Sequence, residues 1–139
     1  MPITLVALVL LRLMTGTAMA QQAKTPQAKA PEAKVTSLMF KELPEAPGKE
    51  ALMIIVEYPP GSVDPVHRHN AHALVYVLEG SIVMQVKDGK QVTLKPRQTF
   101  YEGPDDVHVI GRNASKTKPA RFLVVLIKAK GAPAVVPAE

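Results

Sequence analysis

The chain has 139 residues, 17 of them basic, 12 acidic and 4 histidine, with 47% hydrophobic and only 4% aromatic content. That size and balance suit one ordinary globular domain. No apolar run reaches the roughly 18–20 residues of a membrane-spanning helix, and the lack of cysteine excludes a disulfide framework.

Residues 1–20 read as a secretory signal. Residues 3–13 are its apolar region, interrupted by Arg12, and Ala18-Met19-Ala20 before Gln21 is an Ala-x-Ala cleavage site. The expectation is a periplasmic or secreted product. With no cysteine to carry lipid, it should have no stable membrane anchor after cleavage. Residues 21–34 form a low-complexity Ala/Pro/Lys/Gln tract with nothing apolar to bury, and are expected to be a disordered linker. The formal charge of +5 sits largely in these two segments. From Val35 onward 13 basic residues face 11 acidic ones, an excess of two, with neither a basic stripe nor interleaved aromatics. No nucleic-acid partner is expected.

From residue 35 to 130 the chain reads as short strands divided by turn signals. Residues 51–58 are apolar and end at Pro59-Pro60-Gly61, and residues 74–78 end at Glu79-Gly80. Residues 82–87 and 91–94 flank Asp88-Gly89, a dipeptide favoured in two-residue hairpins. Residues 99–102, 107–110 and 121–128 complete the series. Strands at this spacing without an amphipathic helix predict a single all-β domain, an antiparallel barrel or sandwich. Residues 131–139, with two prolines, should trail off or lie across an edge.

All four histidines fall in two short segments: His67, His69 and His72 in one, His108 in the other. Imidazole is the commonest transition-metal ligand. Strand side chains alternate between faces, so His67 and His69 share a face with Cα atoms roughly 6.5 Å apart, close enough to converge on one ion. A bare His-x-His pair is equally a pair of surface histidines, and its flanks must decide. If the pair points inward, Val75 and Val77 do so from the next strand, and Ile110 accompanies His108. Tyr76, Tyr101 and Glu102 are polar candidates near the mouth.

Gly61-x5-His67-x-His69, continuing to Tyr76-Val77-Leu78-Glu79-Gly80, resembles the first motif of the cupin superfamily. Leu94-Lys95-Pro96, then Pro104 to His108 and Asn113, match the second. The resemblance covers residues 36–128 and implies a cupin-like jelly roll. It also implies that His67, His69 and His108 hold one divalent transition metal (Fe, Mn, Ni, Cu or Zn), and that the protein forms a homodimer through edge strands. Two positions depart from the pattern. The glycine after the motif-two proline is Arg97, and the motif-one glutamate falls at Ala73 or Leu74, neither of which can ligate. His72 stands next to the vacated position and is the fourth candidate ligand, although strand parity points it away from His67 and His69. Either it turns inward to complete an all-imidazole site, or the fourth position belongs to water or substrate.

Three neutral imidazoles leave a divalent ion its full charge and open positions, which favours anionic, chelating molecules. Two readings follow. One is an exported metal-dependent oxidoreductase of dioxygenase type acting on a small diketone, catechol or thiol. The other is a non-catalytic, metal-dependent domain that binds or senses a small molecule.

Overall fold

Ten strands and no helix make up residues 28–139, the part of the chain that the computed structural model describes. The expected signal and half of the expected linker lie outside it. The strands are β1 (Lys34–Glu42), β2 (Lys49–Tyr58), β3 (His67–Arg68), β4 (Ala71–Glu79), β5 (Ile82–Val86), β6 (Val92–Leu94), β7 (Thr99–Glu102), β8 (His108–Asn113), β9 (Ala120–Ala129) and β10 (Val136–Pro137). They form two five-stranded sheets, ordered β1-β2-β9-β4-β7 and β10-β3-β8-β5-β6, with antiparallel pairing throughout. After β2 the chain crosses between the sheets at almost every connection, which is the jelly-roll path.

Alternation explains the core. Along β4, Ala71, Ala73, Val75 and Val77 are buried while His72, Leu74, Tyr76 and Leu78 are exposed. On β9, Ala120, Phe122, Val124 and Leu126 turn the same way. They meet Ile82 and Met84 of β5 and Leu94 of β6 from the other sheet. Each fully buried aliphatic side chain contributes roughly 1.5–3 kcal/mol. The crossing from β4 to β5 requires glycine: Gly80 has φ of 69°, and a Cβ there would lie 2.4 Å from the Pro119 carbonyl oxygen.

Several boundaries differ from those expected. β1 begins at Lys34, inside the expected linker, and all nine of its residues are exposed, so it carries no burial alternation to read. The segment beyond residue 130 does lie along a sheet edge, as β10 paired with β3. The hairpin does turn at Asp88-Gly89, but the last pair is Met84 with Val92, so the loop is longer than two residues. Asp88 takes the positive φ, at 63°. Arg97 has φ of 74°, the left-handed conformation a glycine adopts freely. A β-bulge between β5 and β8 pairs Val86 with His108 and Gln85 with Ile110. It makes Gly111, rather than Ile110, the buried companion of His108. Asn113 is structural: its amide donates to the carbonyls of Tyr58, Pro59 and Lys118 at 2.8–3.1 Å.

Candidate metal centre

His67 and His108 are opposed residues of β3 and β8. The His67 Nε2 stands 3.3 Å from the His108 Nδ1. His69 follows β3 at the corner where the chain leaves one sheet for the other, and Asn70 makes that corner with φ of 49°, a conformation asparagine tolerates better than most residues. One nitrogen from each of the three rings lies within 4.8 Å of the others. Metal–nitrogen bonds are about 2.0–2.1 Å, so a small closing movement brings all three onto one ion.

Outer hydrogen bonds fix two of the rings. The His67 Nδ1–H donates to the Pro65 carbonyl at 2.8 Å, and the His69 Nδ1–H donates to the Ala134 carbonyl at 2.6 Å. A carbonyl only accepts, so each ring carries its proton on Nδ1 and keeps its Nε2 lone pair for the site. Ala134 belongs to the segment expected to trail off or lie across an edge. Burial, then the neighbouring His67 and His69, push His108 down to about 4. Burial also lowers His69, against the raising effect of its Ala134 bond. Near neutral pH both rings are neutral, the form that ligates. Gly111 makes room for them, since a Cβ there would come within 2.8 Å of the His108 Cε1.

A fourth side chain borders this cluster. Glu102, at the end of β7, is 2% exposed. Its Oε1 lies 3.5 Å from the His108 Nδ1 and its Oε2 3.7 Å from the His69 Nε2. Burial first, then the charges of Asp106 and Asp64, raise its carboxyl to about 7. Among the described residues, the Glu102 Oε2 and the His108 Nε2 are buried without a hydrogen-bond partner. Such atoms are costly unless something satisfies them, and a cation among these nitrogens would satisfy the carboxylate oxygen. The residues present therefore fit a divalent metal ion.

His72, counted above among the candidate ligands, lies outside the cluster. The unbroken alternation of β4 turns it to the outer face, where its Nδ1 is hydrogen-bonded to the Tyr101 hydroxyl at 2.7 Å. Tyr76 and Tyr101 are also exposed. Sequence reasoning placed Glu102 only near the mouth and passed over Tyr58 and Asp64. Tyr58 is 1% exposed and donates to the Asp64 carboxylate beside the histidines. Burial raises the pKa of both groups. One available signal was the parity of residues 99–102, which puts Glu102 on the same face as apolar Phe100. The cluster forms part of the wall of a cavity of about 430 Å³ that is mostly apolar elsewhere, with Leu52, Ile54, Met84 and Phe122 among its lining.

A family model described as a cupin domain matches residues 54–126. No curated protein sequence matches the chain. Among solved structures it is similar to an uncharacterised conserved protein with a double-stranded β-helix domain from Klebsiella pneumoniae. The TM-score is 0.62 at 17% identity, over 81% of this chain and 90% of that one. It is also similar to the DMSP lyase DddQ of Ruegeria pomeroyi, with TM-score 0.55 and 20% identity over 63% of this chain and 43% of the lyase. The polyketide cyclase RemF of Streptomyces resistomycificus gives TM-score 0.53 and 21% identity, over 75% of each chain. At these identities the likenesses speak for the fold alone.

Proposed function

Since this chain belongs to the cupin-domain family, whose model spans more than half of it, we propose that it holds one divalent transition metal through His67, His69 and His108. The ion would hold a small anionic, chelating molecule in the cavity. The observation that carries this reading is the convergence of three imidazole nitrogens, two with their lone pairs directed by backbone carbonyls, on one face of an apolar cavity. Bound there, the ion supplies Lewis acidity and open coordination positions. His67 and His69 contribute neutral Nε2 donors, and the carbonyls behind them keep the rings from turning. The apolar walls exclude water and favour a substrate with a compact hydrocarbon body. The Tyr58 hydroxyl, ordered by Asp64, offers that body one polar contact.

For the reaction we favour oxidation of a diketone, catechol or thiol by dioxygen, small chelating molecules that open positions on such an ion would take. The lyase and the cyclase among similar structures show how little the fold restricts chemistry. Binding without turnover is therefore the second reading. The signal-like residues 1–20 support export, with metal acquired outside the cytoplasm. Metal analysis of full-length protein expressed with its leader tests the site. One equivalent of divalent metal per chain is expected, and His69→Ala should lose it. A full equivalent retained by that variant would overturn the site. Oxygen consumption by the metal-loaded protein with a panel of diketones, catechols and thiols then separates the oxidase from the binding protein.

A further inference from the structure

The first motif lacks its carboxylate, because Ala73 and Leu74 occupy the position where a glutamate is expected. Ala73 is fully buried, and its opposed partner across β4 and β7 is Glu102. Directly opposed residues project to the same face with Cβ atoms roughly 4.5–5.5 Å apart. A carboxylate moved from position 73 to position 102 thus reaches the same space from the neighbouring strand. We propose that Glu102 is the fourth protein ligand of this metal centre, having replaced the carboxylate that β4 lacks. The proposal rests on the three-histidine reading above.

The distances support ligation over hydrogen bonding. Atoms each about 2.1 Å from one ion, at tetrahedral or octahedral angles, stand roughly 3.0–3.4 Å apart. The Glu102 Oε1 lies 3.5 Å from the His108 Nδ1 and its Oε2 3.7 Å from the His69 Nε2, both a little beyond that spacing, and the His108 Nδ1 is 3.3 Å from the His67 Nε2. The longer carboxylate contact exceeds a hydrogen bond, and Oε2 has no donor among the described residues. Among the described residues no lysine or arginine pairs with Glu102, whose only basic neighbours within 4 Å are the two imidazoles. A buried carboxylate is expensive without a counter-charge. A divalent ion held by neutral rings supplies that charge, and the carboxylate lowers the net charge of the site in return.

The test is titration of metal-stripped, full-length protein with Co²⁺, following both affinity and the visible ligand-field spectrum. Glu102→Gln keeps the shape and removes the charge. It should weaken binding by more than the roughly 10–100-fold that loss of an outer-shell partner costs, and should change the spectrum. The double variant Ala73→Glu with Glu102→Ala exchanges the two opposed side chains at nearly constant volume. It should recover affinity relative to Glu102→Ala alone. Wild-type affinity and spectrum in Glu102→Gln would overturn the assignment while leaving the histidine site standing. A double variant with an intact β-sheet circular-dichroism spectrum that stays as weak as Glu102→Ala would overturn it too. Failure of the wild-type protein to bind Co²⁺ would instead sink the three-histidine reading.

Discussion

An imidazole ligates through one nitrogen, and what its other nitrogen touches decides whether that lone pair is available. His67 and His69 have a backbone carbonyl behind them, whereas His72 has Tyr101 beside it on the outer face. His72→Ala should therefore leave metal affinity within about twofold of wild type, a change below 1 kcal/mol. A loss like that of His69→Ala, measured in the same titration, would return His72 to the ligand set. Acid titration of the chelator-stripped protein reports on the same cluster. His108 takes its proton at about 4 when folded and near 6.5 when unfolded, so stability falls as pH drops between those values. His69, lowered in the same direction, adds to this loss. Glu102 acts oppositely: raised to about 7 from 4.5, it holds a proton in the folded chain that the unfolded chain has released, so its contribution falls as pH rises. From pH 4.5 to 6.5 the two slopes oppose. Glu102→Gln removes one of them, and its stability should fall more steeply than wild type as pH drops from 6.5 to 4.5. Parallel urea-unfolding profiles for the two proteins would show that Glu102 does not hold that proton.

Short elements do much of the positioning. The turn after β9 and the approach to β10 supply two carbonyls: Ala132, which accepts from the buried Lys128 ammonium at 2.5 Å, and Ala134, which accepts from His69. Lys128 itself is paired with Glu50, its opposed residue on β2. A chain ended after Lys130 loses both carbonyls. It should bind metal roughly 10–100-fold more weakly, as when an outer-shell partner is removed, and should melt below wild type. Wild-type affinity in the shortened chain would dismiss the Ala134 contact. This dependence was not legible in the sequence, because residues 131–139 carry no apolar periodicity and their pairing with β3 is a long-range fact. The fully exposed β1 was hidden for a related reason. By contrast, β2, β4 and β9 were readable because one or both faces are buried and the apolar pattern records it. The shared face of His67 and His69 was legible from spacing and His108 was joined to them by the resemblance of the flanking motifs, while Glu102 was not legible, since recognising it requires the register that opposes Ala73 to a residue 29 positions later. Parity could place Glu102 on an inward face, but only the pairing of β4 with β7 could place it at the histidines.

The cluster also sits where the two sheets of the molecule meet. His67 and His108 lie on β3 and β8 of one sheet, Glu102 lies on β7 of the other, and His69 occupies the corner between them. An ion bound by these residues would join the sheets beside the cavity that both of them line. The chain has no disulfide to do this. Because the ligands converge only in the folded chain, binding energy becomes folding energy. At a free metal concentration of about 100 times Kd the gain is roughly 2.7 kcal/mol. For a domain near 100 residues each kcal/mol moves the melting temperature by roughly 4–8 °C, so loading should raise it by about 10–20 °C. Scanning calorimetry of chelator-treated and metal-reloaded protein measures this directly. His69→Ala should melt at one temperature with or without metal. Glu102→Gln, keeping three imidazoles on one sheet and its corner but losing the link to β7, should show a smaller rise than wild type at equal free metal. An identical rise would mean that the ion stabilises one sheet and its corner alone, and that the opposite sheet contributes nothing to holding it.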